Sequence, residues 1–97
     1  MPARTPLEAG AIDAALVDLA GWAREGNAIR KTFRFDGFRG AVAFIVRIAF
    51  EAESLDHHPE LVNMYDRVTV SLSTHDAGDR VTDMDLELAR RIEALAN

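Results

Sequence analysis

The spacing of apolar residues changes along the chain, and each change marks a new element. Apolar side chains recur at helical spacing from about Ala11 to Ala20, which predicts a first helix. From Ala28 to Phe35 they alternate with polar side chains, the pattern of a half-buried antiparallel strand, with Lys31 as the one exception. Glu25-Gly26-Asn27 is typical of a turn before this strand, and a short strand is expected at Trp22.

The middle of the chain carries its longest apolar segment. Phe38 to about Glu53 has a broad apolar stripe that predicts a second helix with this stripe on the core side: Phe38, Ala41, Val42, Ile45, Ile48, Ala49 and Ala52. The continuous run Ala41–Val46 also fits a buried strand, but a length beyond about ten residues and the alanines favour the helix. The residue before a proline is disfavoured in helical conformation, so the segment up to Pro59 is expected to lie outside the helix.

Two further strands and a third helix complete the pattern. Leu61 to Thr74 is rich in strand-forming residues, and Asp66-Arg67 provides a turn or bulge within it. Alternation separates a core side from a polar side: Val68, Val70 and Leu72, against Thr69, Ser71, Ser73 and His75. Thr82, with Asp85 three residues later, resembles a capping box for a last helix that runs to about Leu95.

The predicted order is therefore α-β-β-α-β-β-α. Because each element has one apolar face to bury, an α+β fold follows, in which helices pack on one face of an antiparallel four-stranded sheet. The length of 97 residues indicates a single domain over residues 1–97. The other face of the sheet, with Arg30 and Arg34, is expected to meet solvent or a partner.

Charge and composition narrow the class of protein. The formal net charge of -5 argues against direct binding to nucleic acid, which depends on neutralising phosphates. The absence of cysteine removes disulfides, thiolate metal sites and cysteine nucleophiles. The longest apolar run, Ala41 to Phe50, is about half a membrane span and contains Arg47. No secretory signal is recognisable, so we expect a cytoplasmic protein that does not enter membranes.

Residues suited to acid–base chemistry are concentrated between positions 53 and 75. All three histidines lie there, and the nearby carboxylates are Glu53, Asp56 and Glu60. An unperturbed imidazole titrates near pH 6.5, so the cluster offers both a general acid and a general base. Glu53 precedes His57 by one helical turn and would share a face with it if the helix extends that far. His75 would reach the same site from a strand end.

A zinc site made of the three histidines and a carboxylate is the alternative chemistry for this cluster. Structural zinc favours thiolates, and the adjacent His57 and His58 have poor geometry for binding one ion, so we expect no metal. Trp22 is open to two interpretations, as core filler or as the wall of a pocket. Tyr65 is interpreted as a packed strand residue.

The motif Glu53-x-x-x-His57-His58-Pro59, followed by Tyr65 and by Ser73-Thr74-His75, resembles that of the pterin-4a-carbinolamine dehydratase family. The resemblance covers nearly the whole chain. It extends over Gly21-Trp22, Ala28-Ile29, Phe33-x-Phe35-x-x-Phe38 and Thr82-Asp83.

This resemblance implies dehydration of 4a-hydroxytetrahydrobiopterin to quinonoid dihydropterin and water, a step of tetrahydrobiopterin recycling that needs no metal or organic cofactor. It implies catalytic roles for four residues: Glu53, His57, His58 and His75. It also implies a pterin-binding set: Trp22, Asp56, His57, His58, Ser73, Thr74, His75 and Asp76. Which histidine is the acid and which the base stays open.

The resemblance further implies a homodimer or homotetramer, with an aromatic amino-acid hydroxylase as a candidate partner. A non-catalytic oligomerising adaptor on the same fold is the alternative function. The complete set of histidines favours the enzyme, because an adaptor has no use for it.

Overall fold

The structure is a computed structural model that describes residues 2–96. Its elements follow the predicted order, which is confirmed. They are α1 (Ala9–Leu16), β1 (Ala23–Glu25), β2 (Ala28–Arg34), α2 (Phe38–Leu55), β3 (Glu60–Met64), β4 (Arg67–Leu72), a 3-10 helix (His75–Ala77) and α3 (Asp83–Leu95). None of the helices within residues 2–96 is both long enough and apolar enough to cross a membrane.

The four strands form one antiparallel sheet in the order β1-β2-β4-β3. The register of β2 on β4 pairs Ile29 with Leu72 and Phe33 with Val68 on the side that faces α2 and α3. On the open side Thr32 pairs with Thr69, and their hydroxyl oxygens lie 2.9 Å apart. The predicted α+β fold is therefore confirmed, and its two faces follow from the alternation in the sequence.

Lys31 does not break the alternation of β2, because its side chain points to the helix side of the sheet. Its Nζ donates to the carbonyl oxygen of Ala20 at 2.8 Å and to the carboxylate of Glu93. The ammonium also lies 4.8 Å from the ring centre of Phe33. Since the charge has these partners, a lysine is tolerated at the border of the core.

The first helix begins and ends earlier than predicted. It covers Ala9–Leu16, and turns follow it up to position 21. Leu19 within these turns and Trp22 just after them are both buried. Apolar residues at helical spacing therefore continue beyond the end of the helix. Trp22 stands just before β1 and not within it.

The buried face of α2 is rotated relative to the predicted stripe. Phe44 is fully buried, and its ring centre lies 4.9 Å from those of both Phe33 and Phe35. Phe38 and Val42, expected on the core side, are 55% and 38% exposed. Phe33 in β2 and Phe35 just after this strand pack around Phe44 and so fix the rotation of the helix, a contact that the helical pattern alone does not reveal.

The end of α2 determines where two of the histidines go. Asp56 adopts a left-handed conformation, with φ 50° and ψ 47°. The N–H of Asp56 donates to the carbonyls of Ala52 and Glu53, and the N–H of His57 donates to Ala52 O at 3.0 Å. This is a Schellman motif, which turns the chain sharply away from the helix axis. His57 and His58 are therefore outside the helix.

Two positions differ from the strands that the sequence predicts. Tyr65 lies in the turn between β3 and β4 with φ 52° and is 66% exposed, so it is not a packed strand residue. β4 ends at Leu72, and His75 opens the 3-10 helix instead of ending a strand. The Thr82–Asp85 capping box at the start of α3 is confirmed.

Candidate active site

A cavity of about 280 Å³ lies where the end of α2 meets the segment that follows β4. It is lined by Arg4, Asp56, His57, His58, Ser73, His75 and Asp76. A second cavity of about 380 Å³ also has His58, Ser73 and His75 in its wall and continues over the open face of the sheet to Arg30. The three histidines predicted to act together thus surround one cavity.

His57 is the buried imidazole of the three, with a relative exposure of 4%. Its Nε2 lies 2.5 Å from Oδ1 of Asp85, a carboxylate that is itself fully buried near the start of α3. Since Nε2 is engaged, Nδ1 is the ring nitrogen left for the cavity. A buried aspartate thereby fixes the orientation of a cavity-lining imidazole.

The carboxylate of Asp85 is held by three donors in total. Besides His57, its Oδ2 accepts from the backbone N–H of Thr82 at 2.8 Å and from the hydroxyl of Thr74 at 2.8 Å. The two threonine hydroxyls also lie 2.6 Å from each other. Thr74, expected to contact the substrate, is instead fully buried in this network and lines neither cavity. A satisfied buried network of this kind holds its members rigidly.

The other two histidines are paired at the surface. His58 Nε2 lies 2.6 Å from Oε1 of Glu53, and His75 Nδ1 lies 3.1 Å from Oδ1 of Asp79. The helix does not extend as far as His57, so Glu53 and His57 do not share a helix face, because the left-handed turn at Asp56 carries His57 away from it. Each of the three imidazoles therefore has its own carboxylate partner. Only one ring nitrogen of each imidazole is bonded to that carboxylate.

Trp22 lies in the core, as one of the two interpretations of this residue predicted. It is 5% exposed, its indole N–H donates to Glu93 Oε1 at 2.8 Å, and it meets Phe33 edge-on at a ring separation of 6.0 Å. It lines neither of the two cavities that contain the histidines. The contact between Trp22 and the pterin that the family resemblance implies stays a prediction.

Sequence reasoning missed two residues of the site. Asp85 was predicted only as a helix cap, and the signal for a second role was that an aspartate replaces the usual glutamate at that position. Arg4 gave no signal, because it lies in a lead-in without a periodic pattern. Its Nη2 donates to the carbonyl oxygen of Asp56 at 2.9 Å, and the side chain lines the cavity.

The zinc alternative has no geometric support in residues 2–96. Within that range no group of three or more histidine, aspartate and glutamate side chains is arranged to hold a metal ion.

Comparison with known sequences gives one family. A family model described as Pterin 4 alpha carbinolamine dehydratase matches residues 5–95. A protein of Opitutus terrae is 59% identical over 85 residues, which cover 88% of each chain. A protein of Roseiflexus sp. is 46% identical over 91 residues, covering 94% of this chain and 97% of its own. Both relatives carry the name "Putative pterin-4-alpha-carbinolamine dehydratase".

Comparison with solved structures supports the same fold. A crystal structure described as a transcriptional coactivator/pterin dehydratase from Brucella melitensis matches with a TM-score of 0.91 and 39% identity, over 96% of this chain and 100% of that one. A pterin dehydratase-like protein, described as a RuBisCO assembly factor of the alpha-carboxysome, matches with a TM-score of 0.67 and 24% identity, over 79% and 90% of the two chains. At that identity the second likeness concerns the fold alone.

Proposed function

This chain belongs to the pterin-4a-carbinolamine dehydratase family, and on that premise we propose that it converts 4a-hydroxytetrahydrobiopterin to quinonoid dihydropterin and water. The observation that carries the proposal is the shared cavity. The adjacent His57 and His58 come from the end of α2 and His75 from the segment after β4, and all three line one space of about 280 Å³. A flat heterocycle placed there would have imidazoles beside it at more than one edge.

The reaction requires two proton transfers. One proton goes to the hydroxyl group as it leaves C4a with its bonding electrons, and another leaves the adjacent N5, whose N–H electron pair then completes the C=N bond. Positioned acids and bases contribute about 10²–10⁴-fold at such steps. No electron acceptor or other reactant is needed, because water is the only other product.

We assign the base to His57. An ionised carboxylate only accepts hydrogen bonds, so Asp85 selects the form of His57 that carries a proton on Nε2. In the neutral ring the lone pair then lies on Nδ1, the nitrogen left for the cavity. We assign the acid to His75, whose Nδ1 is paired with Asp79 and whose Nε2 is left for the leaving hydroxyl. Glu53 acts through His58, with which it is paired.

The proposal is tested with H57Q and H75A, assayed for dehydration of freshly generated carbinolamine. A glutamine amide at position 57 can still donate to Asp85 but is too weakly basic to take a proton. Each change is expected to lower kcat by about 10²–10⁴-fold, while the circular dichroism spectrum stays that of the unmodified protein. Unchanged turnover in both variants would refute the assignment.

A non-catalytic adaptor is the second candidate, because α2 exposes a row of large apolar side chains. Phe38, Val42, Val46 and Phe50 recur every fourth residue and are between 38% and 73% exposed. We propose that copies of this chain associate as a homodimer or homotetramer in the cytoplasm, with an aromatic amino-acid hydroxylase as a candidate partner. Purified protein that forms such complexes but shows no dehydration above the uncatalysed rate would favour the adaptor.

A further inference from the structure

The N-terminal segment brings a guanidinium to the cavity that contains the histidines. Arg4 is half-buried and lines that cavity together with the end of α2. The segment is fixed a few residues later, where the N–H of Leu7 donates to the carbonyl of Val81 at 2.9 Å and Leu7 packs against the core. These contacts of Leu7 therefore hold the chain in place close to Arg4.

The guanidinium is anchored to the main chain at the end of α2. Its Nη2 donates to the carbonyl oxygens of Asp56 at 2.9 Å and Leu55 at 3.4 Å, 52 and 51 residues away in sequence. The last turn of α2 contains no basic residue of its own. Arg4 supplies the positive charge that the carbonyl end of a helix dipole favours.

Anchoring leaves most of the guanidinium available to a ligand. An arginine carries five N–H donors, of which Nη2 holds two. The three on Nε and Nη1 have no acceptor among residues 2–96. Asp56 and Asp76 line the same cavity, and an ionised carboxylate can only accept hydrogen bonds. The cavity thus combines one fixed donor group with two acceptor groups, apart from the imidazoles.

This combination matches one edge of a pterin ring. That edge has a carbonyl oxygen next to a ring N–H and an amino group, which is one acceptor beside two donors. The carboxylates complement the donors, and the guanidinium complements the carbonyl oxygen with charge-assisted hydrogen bonds. We propose that Arg4 is a substrate-binding residue that recognises this ring carbonyl and so sets the orientation of the heterocycle between the histidines.

The inference rests on the proposed function, and binding can be measured separately from turnover. Two probes are titrated calorimetrically: 7,8-dihydrobiopterin, and its 2,4-diamino analogue, which lacks the ring carbonyl. R4M removes the donors and keeps a long side chain. It is expected to raise the Kd of 7,8-dihydrobiopterin by about tenfold and to leave the Kd of the diamino analogue nearly unchanged. R39M, at an exposed arginine at the start of α2, is the matched control and should change neither value.

The ratio of the two Kd values distinguishes two roles of Arg4: recognition of the ring carbonyl, and support of the main chain at the end of α2. If R4M raises the Kd values of both probes equally, Arg4 only holds the end of α2 and the inference is overturned. Kd values that are both unchanged in R4M would overturn it as well. Unmodified protein that binds neither probe would overturn the proposed function as well, which is a distinguishable result. R4K, which keeps the charge with fewer donors, provides a second variant and should give an intermediate ratio.

Discussion

Asp85 is the residue that joins the chemistry of the site to the fold. One carboxylate oxygen faces His57 at 2.5 Å, and the other accepts from Thr82 N–H and the Thr74 hydroxyl. A buried carboxylate needs such donors, because an isolated charge in the interior is strongly unfavourable. The same side chain therefore caps α3 and orients an imidazole, so its two roles are inseparable in the structure.

D85N is expected to impair catalysis more than binding. The amide can no longer accept at both ends, so the proton position on His57 is no longer imposed, and kcat should fall by about a hundredfold or more with little change in KM. D83N is the control, since Asp83 is exposed in the same first turn. A D85N enzyme with the kcat of the unmodified protein would contradict this role.

At the scale of elements, the start of α3 has to remain fixed for the site to keep its geometry. The Thr82 hydroxyl accepts from the backbone N–H of Met84 at 3.2 Å, and Asp85 bonds back to the N-cap backbone, which together form a capping box. Both side chains are fully buried. Loss of the cap therefore affects helix stability and the position of Asp85 together.

T82A is expected to lower the free energy of unfolding by about 1–2 kcal/mol, because it removes a cap hydroxyl from a buried network. T82S keeps the hydroxyl and should lower the free energy of unfolding by only a fraction of that amount. Urea denaturation followed by circular dichroism gives both values. If T82S is as unstable as T82A, the methyl group and not the hydrogen bonds accounts for the contribution of Thr82.

At the scale of the whole molecule, the arrangement leaves apolar surface outside the core. The row on α2 formed by Phe38, Val42, Val46 and Phe50 points away from the sheet, and Phe50 is 73% exposed. Contiguous apolar patches on soluble proteins commonly mark interaction sites. The open face of the sheet also exposes two apolar side chains, Val62 and Met64, which lie beside Thr32, Arg67 and Thr69.

We expect copies of the chain to associate through this row on α2. Sedimentation at micromolar concentration should give a dimer or tetramer, and V46E should shift the mass to that of the monomer, because it places charge in the middle of the row. V17E changes an isolated valine that is 80% exposed elsewhere and should leave the assembly intact. Sedimentation of the unmodified protein as a monomer would count against the association, and an intact V46E assembly would exclude this surface.

The sequence by itself determined the order of elements, the α+β fold, the capping box and the group of three histidines. Periodicity reports which face of an element is buried, and a cap depends on residues within one turn, so both are local properties. The predicted buried stripe of α2 was right at Ala41, Ile48 and Ala52. It was wrong at Phe38 and Val42, because the rotation of the helix depends on how Phe44 packs against Phe33 and Phe35.

Only the tertiary structure decided which carboxylate meets which imidazole. His57 pairs with a residue 28 positions away, and Arg4 reaches main-chain carbonyls more than 50 positions away. Such contacts depend on the path of the chain between the partners, here on the left-handed turn at Asp56 that directs His57 inward. Residue types and local spacing do not encode that path, so they identified the imidazoles but not Asp85 and Arg4 beside them.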